Sequence, residues 1–320
     1  MISVYVHQDG GTKCVERVEP EWLDPSSRVI VWVDLSEPAA EEGRILSDVF
    51  HFHALSVEDA LSVLQFPKIE TYPGYLYIVL HGIDVQKSGR RVATHDVDFF
   101  LGPNYLVAVH DGHSRSIARL RELCDRTPRI LEAGPVALMH RIVDSMVGTY
   151  RPVMEEFEKR LTTLEEQSFQ AQESLVRQVL KLKRDLASMR RILVPQRDAI
   201  GRLARREFSQ ISDEMAYRFR DVYDQVVRLT EETMLFQDRV TGIIDVNLAT
   251  VSNRLNQVMK VLTVMSTIFL PLTVLTGMWG MNLPLPAFPG GEEAQFWWIA
   301  GIMLAIIGTM LYFFRRKGWI

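Results

Sequence analysis

A stripe of small and polar side chains recurs every three or four residues in the last quarter of the chain. Its members are Ser252, Asn256, Met259, Thr263, Ser266, Leu270, Thr273 and Gly277. On an α-helix this spacing places them on one face. Such a face could line a water-filled path for ions, with Met259 and Leu270 as apolar interruptions. Membrane helices also use small and hydroxylated residues to pack closely, so the spacing alone leaves pore lining and helix packing equally open.

The stripe leads into the first of two stretches that are long enough to cross a bilayer. No charged residue occurs between Lys260 and Glu292, and residues 261–279 form an apolar run of the length that a membrane span needs. A second uncharged run covers residues 296–314. Two spans cannot enclose a water-filled path, so any transport function requires several copies of the chain around an axis.

Charged residues at the ends of these spans predict their orientation. Basic residues flank one end of each run: Lys260, Arg315, Arg316 and Lys317. The positive-inside rule places these ends and both termini in the cytoplasm, with the chain in a bacterial-type cytoplasmic (inner) membrane and residues 315–320 as a basic tail. Glu292 and Glu293 then lie in an external loop, residues 283–295, where acids could concentrate cations or serve solubility alone.

The composition excludes several function classes. A formal net charge of -4 argues against a nucleic-acid partner. The two cysteines, Cys14 and Cys124, lack the paired spacing of a zinc site or a disulfide framework. We find no phosphate-binding glycine loop, no metalloprotease motif and no nucleophile with its base, so we expect neither an enzyme nor an organic cofactor. Residues 1–11 lack the apolar core of a signal peptide, which predicts a cytoplasmic N-terminal region.

The first 134 residues alternate β-type runs with helical patterns, which predicts an α/β domain with a central sheet. Strands are predicted at residues 2–7, 29–35, 75–82, 92–101 and 105–110. Helices are predicted at residues 37–50, 56–65 and 114–125. Residues 135–211 predict a cytoplasmic helical hairpin region, with a helix end or kink expected just before Pro195.

Residues 212–282 predict one long stalk helix that carries the first span. Ser212 suits a helix start, and the acidic residue after it suits the helix dipole. Apolar residues then recur at alternating spacings of four and three, as in a coiled-coil seam: Met215, Phe219, Val222, Val226, Leu229, Thr233, Phe236, Val240 and Ile243. After a one-residue slip, Ile244, Leu248, Val251, Leu255 and Val258 continue the pattern. At roughly 100 Å, the helix should pack against copies of itself.

The first span ends in Trp279-Gly280-Met281-Asn282, and here the sequence resembles the CorA family of divalent cation transporters. The resemblance extends to NQVMKVLTVMSTIFLPLTVL at residues 256–275, YRFRDVYD at residues 217–224 and VEDALSVLQFPKIETYPGYLYIVLHGI at residues 57–83. It covers nearly the whole chain in the family's order. Trp279 and Leu283 stand where the family usually has Tyr and Phe, and these replacements alter packing at the mouth more than ion chemistry.

The resemblance implies an α+β membrane protein with an N-terminal cytoplasmic α/β domain, a long helical stalk and two C-terminal transmembrane helices. It further implies a funnel-shaped homopentamer in the lipid bilayer. Gly280, Met281 and Asn282 would form the outer mouth, where a ring of Asn282 carboxamide oxygens suits Mg²⁺ that keeps its water. The family's pore-lining and gate positions correspond to Asn256, Met259, Leu262, Thr263, Ser266, Leu270, Thr273 and Gly277.

The resemblance also implies a regulatory Mg²⁺ site in the cytoplasm. Asp59 and Asp221 match positions where acids of neighbouring copies bind the ion, and Asp245 is a further acidic position along the stalk. Bound ions would screen carboxylates that otherwise repel, and so hold the assembly closed. Without the resemblance, residues 56–59 fit a capping box and Asp221 fits a solvated stalk residue.

The function implied is conduction of hydrated Mg²⁺, with Co²⁺ or Ni²⁺ as further substrates, down the electrochemical gradient and gated by cytoplasmic Mg²⁺. One alternative is a zinc transporter of the same superfamily. The stripe offers zinc no nitrogen or sulfur ligand except Met259, which favours a hard ion. A second alternative is a membrane-anchored coiled-coil scaffold without transport, which would not need the polar stripe or Asn282.

Overall fold

The computed structural model describes residues 1–62, 66–85, 92–127, 129–170, 173–281, 289 and 291–319. The chain forms two compact units. The first contains Met1–Gln167 and Glu173–Ile243, and the second contains Ser168–Gln172 and Ile244–Ile320.

A mixed sheet is the centre of the first unit. Within the described residues it has seven strands: Ile2–Gln8 (β1), Gly11–Val15 (β2), Ile30–Ser36 (β3), Lys68–Tyr72 (β4), Tyr75–Val85 (β5), Val92–Leu101 (β6) and Tyr105–His110 (β7). Their order is β2-β1-β3-β7-β6-β5-β4, and only the β3–β7 pair is parallel. The five strands predicted from β-branched and aromatic runs are confirmed. Prediction missed β2 and β4, because both are short and rich in polar residues.

Three short helices cover one face of the sheet: Ala40–Gly43 (α1), Ile45–Asp48 (α2) and Ala54–Leu61 (α3). Leu46, Phe50 and Phe52 from this layer join a core cluster with strand residues such as Val31 and Phe100. The sheet interior is therefore apolar on both faces, which explains why β3 and β7 read as continuous apolar runs.

Two helix predictions in this layer were wrong in detail. The helix predicted at residues 37–50 is two one-turn helices, because Glu37 has a φ of 45°, Pro38 follows it and Gly43 interrupts the run. The helix predicted to begin at Ser56 begins at Ala54. The His53 side chain accepts a hydrogen bond from the Leu55 amide, so the capping box predicted at residues 56–59 is not formed.

The other face is covered by Arg115–Arg126 (α4) and Pro135–Gly148 (α5), and α5 packs against β5 and β7. The Ser114 side chain caps α4, which confirms the helix predicted at residues 114–125. A fully buried Asp34 on β3 fixes α4 to the sheet: it accepts from His110 Nε2 at 2.9 Å and lies 3.2 Å from Arg121 Nε. Removing one partner would leave a buried charge uncompensated, at a cost of about 3–5 kcal/mol.

The helical region continues with Tyr150–Gln167 (α6) and Glu173–Ala204 (α7). Of the helix end or kink predicted just before Pro195, the end was wrong, because α7 runs through this residue. The next residue supplies an anchor: Gln196 is buried, its Oε1 accepts from the His81 amide at 2.8 Å, and its Nε2 donates to the His81 carbonyl at 3.2 Å. These bonds tie α7 to β5 directly after the proline and help to offset the hydrogen bond that proline cannot donate.

The longest element is Asp213–Trp279 (α8), close to the predicted residues 212–277. The Ser212 hydroxyl accepts from the Met215 amide at 3.3 Å, which confirms the predicted helix start. The first half of the seam, from Met215 to Ile243, is buried within the chain. Its predicted role as a contact between copies is therefore wrong, because this half packs against the chain's own helices, as where Thr233 meets Met154.

The second unit contains the rest of α8 and Gly291–Arg316 (α9). Both helices are long and apolar enough to cross a membrane, and their apolar windows are 11% and 0% buried. The core helix of a soluble protein would be mostly buried, so this exposure fits helices that lipid or other copies cover. The predicted spans 261–279 and 296–314 lie within α8 and α9.

Candidate ion path and regulatory carboxylates

All eight stripe residues lie exposed on α8 in the single chain. The residues that the second unit partly or fully covers in this region are Val264, Thr267, Ile268, Pro271, Leu272, Leu275 and Trp279. At 100° per residue, this covered set lies on the other side of the helix from the stripe. The chain's own fold therefore leaves the polar face free.

The threonine hydroxyls of the stripe have a defined orientation. Thr263 Oγ1 donates to the Met259 carbonyl at 2.7 Å, and Thr273 Oγ1 donates to the Phe269 carbonyl at 2.9 Å. Since their hydrogens are used within the helix, the oxygens present lone pairs to whatever faces the stripe. Lone pairs accept hydrogen bonds from the water that surrounds a cation.

Three predicted pore residues share a cavity near the N-terminal end of the first predicted span. Asn256, Met259 and Thr263 line a space of about 520 Å³ together with Asn253, Gln257, Lys260 and Trp319. Trp319 belongs to the tail after α9, and its ring stacks on Phe314 at 5.7 Å between centroids. Sequence reasoning did not assign Trp319 a role.

After α8 ends at Trp279, the structure describes the next two residues, Gly280 and Met281. The Gly280 amide bonds to the Thr276 carbonyl at 2.9 Å, and a Cβ at Gly280 would lie 3.1 Å from that oxygen. Glycine therefore allows this close backbone approach. Asn282 and residues 283–288 lie outside the described residues.

The predicted external loop is shorter than expected at its far end. Because α9 begins at Gly291, Glu292 and Glu293 belong to its first turn and not to the loop 283–295.

The carboxylate of Asp59 is paired with a lysine. Lys68 Nζ lies 2.5 Å from Asp59 Oδ2 and 2.8 Å from Glu70 Oε1, so one ammonium bridges two acids. Asp59 is at the end of α3, whereas Lys68 and Glu70 point to one face of β4 because they are two residues apart. Sequence reasoning missed Lys68, and the Lys-x-Glu alternation was the only signal that could have drawn attention to it.

A buried acid lies behind this pair. Lys68 Nζ is 5.3 Å from the centre of the Tyr77 ring, and Tyr77 Oη donates to Asp98 Oδ1 at 2.5 Å. Burial raises the pKa of Asp98 to about 8, with smaller contributions from the negative charges of Asp96 and Asp59. Asp98 is therefore largely protonated at neutral pH.

The other predicted regulatory residues lie apart from this cluster. Asp221 and Asp245 are exposed on α8 and form no ion pair with any residue that the structure describes. Over the same described part of the chain, no group of three or more His, Cys, Asp or Glu side chains is placed to hold a metal ion. Within the described part of a single copy, no hydrogen bond or ion pair links Asp59 with the helix around Asp221.

Comparison with known proteins identifies the family to which the chain belongs. Residues 27–316 match the family described as CorA-like Mg²⁺ transporter protein. The chain belongs to this family. It is 33% identical to the putative metal ion transporter YfjQ of Bacillus subtilis, over 90% of this chain and 89% of that protein. It is 31% identical to the cobalt/magnesium transport protein CorA of Thermotoga maritima, over 86% of this chain and 79% of that protein.

The CorA fold extends over the full length of the chain. The solved structure of the CorA magnesium transporter from Methanocaldococcus jannaschii matches with a TM-score of 0.85 at 22% identity, covering 100% of this chain and 99% of that one. The predicted α+β architecture, with an N-terminal sheet domain, one long helix and two C-terminal apolar helices, is confirmed. The chain is thus a CorA-family divalent cation transporter, and the family is one of membrane transporters.

Proposed function

We propose that this CorA-family chain conducts hydrated Mg²⁺, with Co²⁺ and Ni²⁺ as further substrates, through a homopentamer in the cytoplasmic membrane. The observation that carries the proposal is the free polar stripe on α8. A helix that only needed to pack would cover its small residues against α9, whereas here the covered residues lie on the other side. Copies around an axis would turn the stripe into the wall of a path.

The ion would keep its water through most of this path. The stripe contains no charged residue, and Mg²⁺ gives up its hydration shell reluctantly. Hydroxyl lone pairs at Thr263 and Thr273 can accept hydrogen bonds from that shell without replacing it. A ring of Asn282 amides would act in the same way at the outer mouth, next to Gly280 and Met281.

The direction of flow follows from the membrane potential. We place residues 1–134 and 135–211, the stalk and both termini in the cytoplasm, because basic residues flank the inner ends of both spans. Each elementary charge moved inward across 100 mV gains about 2.3 kcal/mol, so a divalent cation needs no nucleotide to enter. Glu292 and Glu293 would raise the local cation concentration outside.

Gating would combine a sensor in the cytoplasm with a constriction in the span. Mg²⁺ bound by Asp59 of one copy and Asp221 of the next would hold the assembly closed, and Asp245 would add a binding position along the stalk. Loss of the ion would let like charges repel and the helices separate. Met259, Leu262 and Leu270 are the apolar side chains that could close the path by excluding water.

A zinc transporter of the same superfamily remains the alternative. Zinc prefers nitrogen and sulfur ligands, and Met259 is the only such side chain on the stripe. The relative flux of Mg²⁺ and Zn²⁺ distinguishes the two functions, because a path that is lined by oxygen atoms and conducts hydrated ions favours Mg²⁺.

The proposal is tested by ion uptake into liposomes that contain the purified full-length chain. We expect Mg²⁺ uptake to exceed Zn²⁺ uptake, and Asn282→Ala to reduce Mg²⁺ uptake by at least about tenfold because the oxygen ring at the mouth is lost. Met278→Ala is the matched control, since Met278 lies at the same end of the span but off the stripe. Unchanged Mg²⁺ uptake with Asn282→Ala would contradict the role proposed for Asn282 at the outer mouth. Zn²⁺ uptake faster than Mg²⁺ uptake would favour the zinc transporter.

A further inference from the structure

Two adjoining cavities form a groove on the cytoplasmic unit that the transport function does not use. The larger has a volume of about 980 Å³ and the smaller about 350 Å³, and both are lined by Ser116, Arg119, Asp144 and Ser145. The groove lies between α4, α5 and the start of α8. All of its lining residues belong to the first unit.

Helix periodicity directs four arginines to this groove. Arg115 and Arg119 are one turn apart on α4, on the side away from the buried Ile117 and Leu120. Arg141 on α5 and Arg218 on α8 line the smaller cavity. The groove thus receives guanidinium groups from three separate helices.

The charge of the groove differs from that of the chain. Four arginines line it against two acids, Glu122 and Asp144, although the chain as a whole has a formal net charge of -4. Arg218 is paired with Glu214 at 2.7 Å. Arg119 and Arg141 form no ion pair with any residue in the described ranges. Guanidinium groups without a carboxylate partner are suited to bind phosphate with two parallel hydrogen bonds.

Further groups in the groove suit a phosphate ester. The Ser116 and Ser145 hydroxyls can donate to phosphate oxygens, and Ser116 lies in the first turn of α4, where the helix dipole favours negative charge. In the smaller cavity, His140 Nε2 is buried and has no hydrogen-bond partner among the described residues. Burial lowers the pKa of His140, so the imidazole adds no positive charge to the groove at neutral pH.

We propose that this groove binds a nucleoside polyphosphate. Arg115, Arg119 and the two serines would hold the phosphates in the larger cavity. The nucleoside would lie in the smaller cavity, beside the His140 ring, Leu120 and the partly exposed Leu123. The volume is in the range of pockets for ligands of this size. Arg218 and Gln225 lie one turn before and after Asp221, so the ligand would contact the stalk next to the proposed sensor.

The test is calorimetric titration of the full-length chain in detergent, without divalent cations, against ATP, pyrophosphate and adenosine. We expect saturable binding of ATP, weaker binding of pyrophosphate and none of adenosine. Arg119→Gln combined with Arg141→Gln should weaken ATP binding by at least roughly tenfold, since each lost contact is a charge-assisted hydrogen bond. The matched control combines Arg177→Gln with Arg191→Gln, two exposed arginines outside the groove.

Binding is measured without ion flux, so its outcome is independent of the transport proposal. The thermal unfolding midpoint of each double variant shows whether the fold is retained, and Arg119→Lys with Arg141→Lys should restore part of the affinity through charge alone. Absence of saturable ATP binding, or an equal loss in the control, would overturn the proposal. Equal affinity for pyrophosphate and ATP would overturn the nucleoside part. If the native chain does not bind ATP and the Arg119→Gln, Arg141→Gln variant forms a smaller oligomer, the nucleotide proposal is wrong and the groove is instead a contact with a neighbouring copy.

Discussion

Lys68 determines how much negative charge Asp59 can offer to a regulatory ion. Its ammonium already bridges Asp59 and Glu70, and the Lys68 and Asp59 side chains are 28% and 30% exposed. A divalent cation that binds Asp59 must compete with this tethered positive charge. Lys68 thereby sets the Mg²⁺ concentration at which the transporter closes, if Asp59 acts as proposed.

We predict that Lys68→Gln makes the transporter more sensitive to internal Mg²⁺. Removing one positive charge from a half-exposed pair should favour Mg²⁺ binding by about 1 kcal/mol, which is roughly fivefold in the half-inhibiting concentration. The measurement is Mg²⁺ current at a series of internal Mg²⁺ concentrations. Lys68→Arg is the charge-matched control, and Asp59→Asn should instead weaken inhibition. If Lys68→Gln leaves the half-inhibiting Mg²⁺ concentration unchanged, the Asp59–Lys68 pair has no role in regulation.

Asp98 makes the stability of the sheet depend on pH. Its pKa is about 8 in the folded chain because of burial, and near 3.9 when unfolded. Between these values the folded chain holds a proton that the unfolded chain releases, so stability falls as pH rises. The slope from this group is at most about 1.4 kcal/mol per pH unit.

We predict that Asp98→Asn flattens this dependence. The native chain should lose more thermal stability between pH 5 and pH 8 than the variant, because the amide stays neutral in both states. Thermal unfolding of the full-length chain in detergent, followed by circular dichroism, measures the difference. Asp9→Asn, at an exposed turn, should retain the native pH profile. A variant that loses as much stability as the native chain would show that Asp98 is already ionised at pH 5.

At the scale of elements, α7 is bonded to the sheet at two points: Arg202 donates to the Ile69 carbonyl of β4 at 3.0 Å, and Gln196 bonds to β5. β4 pairs with residues 75–79 of β5 but not with residues beyond them, so the edge of β5 is open at His81. Gln196 pairs with both backbone polar groups of His81, and Tyr150 Oη also donates to the His81 carbonyl at 2.9 Å. The amide of Gln196 thus takes the place of a neighbouring strand.

We predict that Gln196→Ala destabilises the first unit by about 1–3 kcal/mol. The His81 carbonyl keeps its bond from Tyr150, whereas the His81 amide loses its bond to the Gln196 oxygen. Gln178→Ala, at an exposed position of the same helix, should have little effect. The two unfolding midpoints measured side by side give the comparison. Equal midpoints would mean that water or a backbone shift satisfies His81.

The elements that could be predicted are those whose pattern is local. β3, β5 and β7 follow from runs of β-branched and aromatic residues, and α8 follows from its cap, its seam and the lack of proline between Asp213 and Pro271. The passage of α7 through Pro195 could not be predicted, because the compensating bonds join residues 115 positions apart. The Asp59–Lys68 pair depends on how α3 meets β4, which no local pattern contains.

For the candidate site, spacing alone predicted the stripe correctly as one helix face. It could not decide between packing and lining, because that depends on which face α9 and the tail cover. Trp319 was missed for the same reason. The roles of Asn282, Asp221 and Asp245 stay predictions: the first lies outside the described residues, and the other two depend on neighbouring copies.

At the scale of the molecule, the two halves of the α8 seam have different environments. The nine seam residues from Met215 to Ile243 are buried within the chain, whereas Leu248 and Leu255 are 62% and 61% exposed. Exposed leucines at helical spacing are typical of a surface that another helix covers, and other copies of α8 can supply that helix. Contact between copies is therefore expected on the lower stalk and the span.

The central claim is that the stripe, and not another face of α8, lines the ion path. Cysteine modification tests it directly. In a Cys14→Ser background, the remaining Cys124 is buried and burial raises its pKa to about 12, so it should not react. Ser266→Cys and Thr273→Cys place thiols on the stripe, whereas Val261→Cys and Met265→Cys place them on exposed positions about 170° and 130° from the centre of the stripe.

The measurement is Mg²⁺ uptake into liposomes before and after treatment with a charged, water-soluble methanethiosulfonate reagent. We predict that the reagent blocks uptake through the Ser266→Cys and Thr273→Cys variants and leaves uptake through the Val261→Cys and Met265→Cys variants unchanged. Block at Val261→Cys and Met265→Cys, with none at Ser266→Cys and Thr273→Cys, would contradict the account.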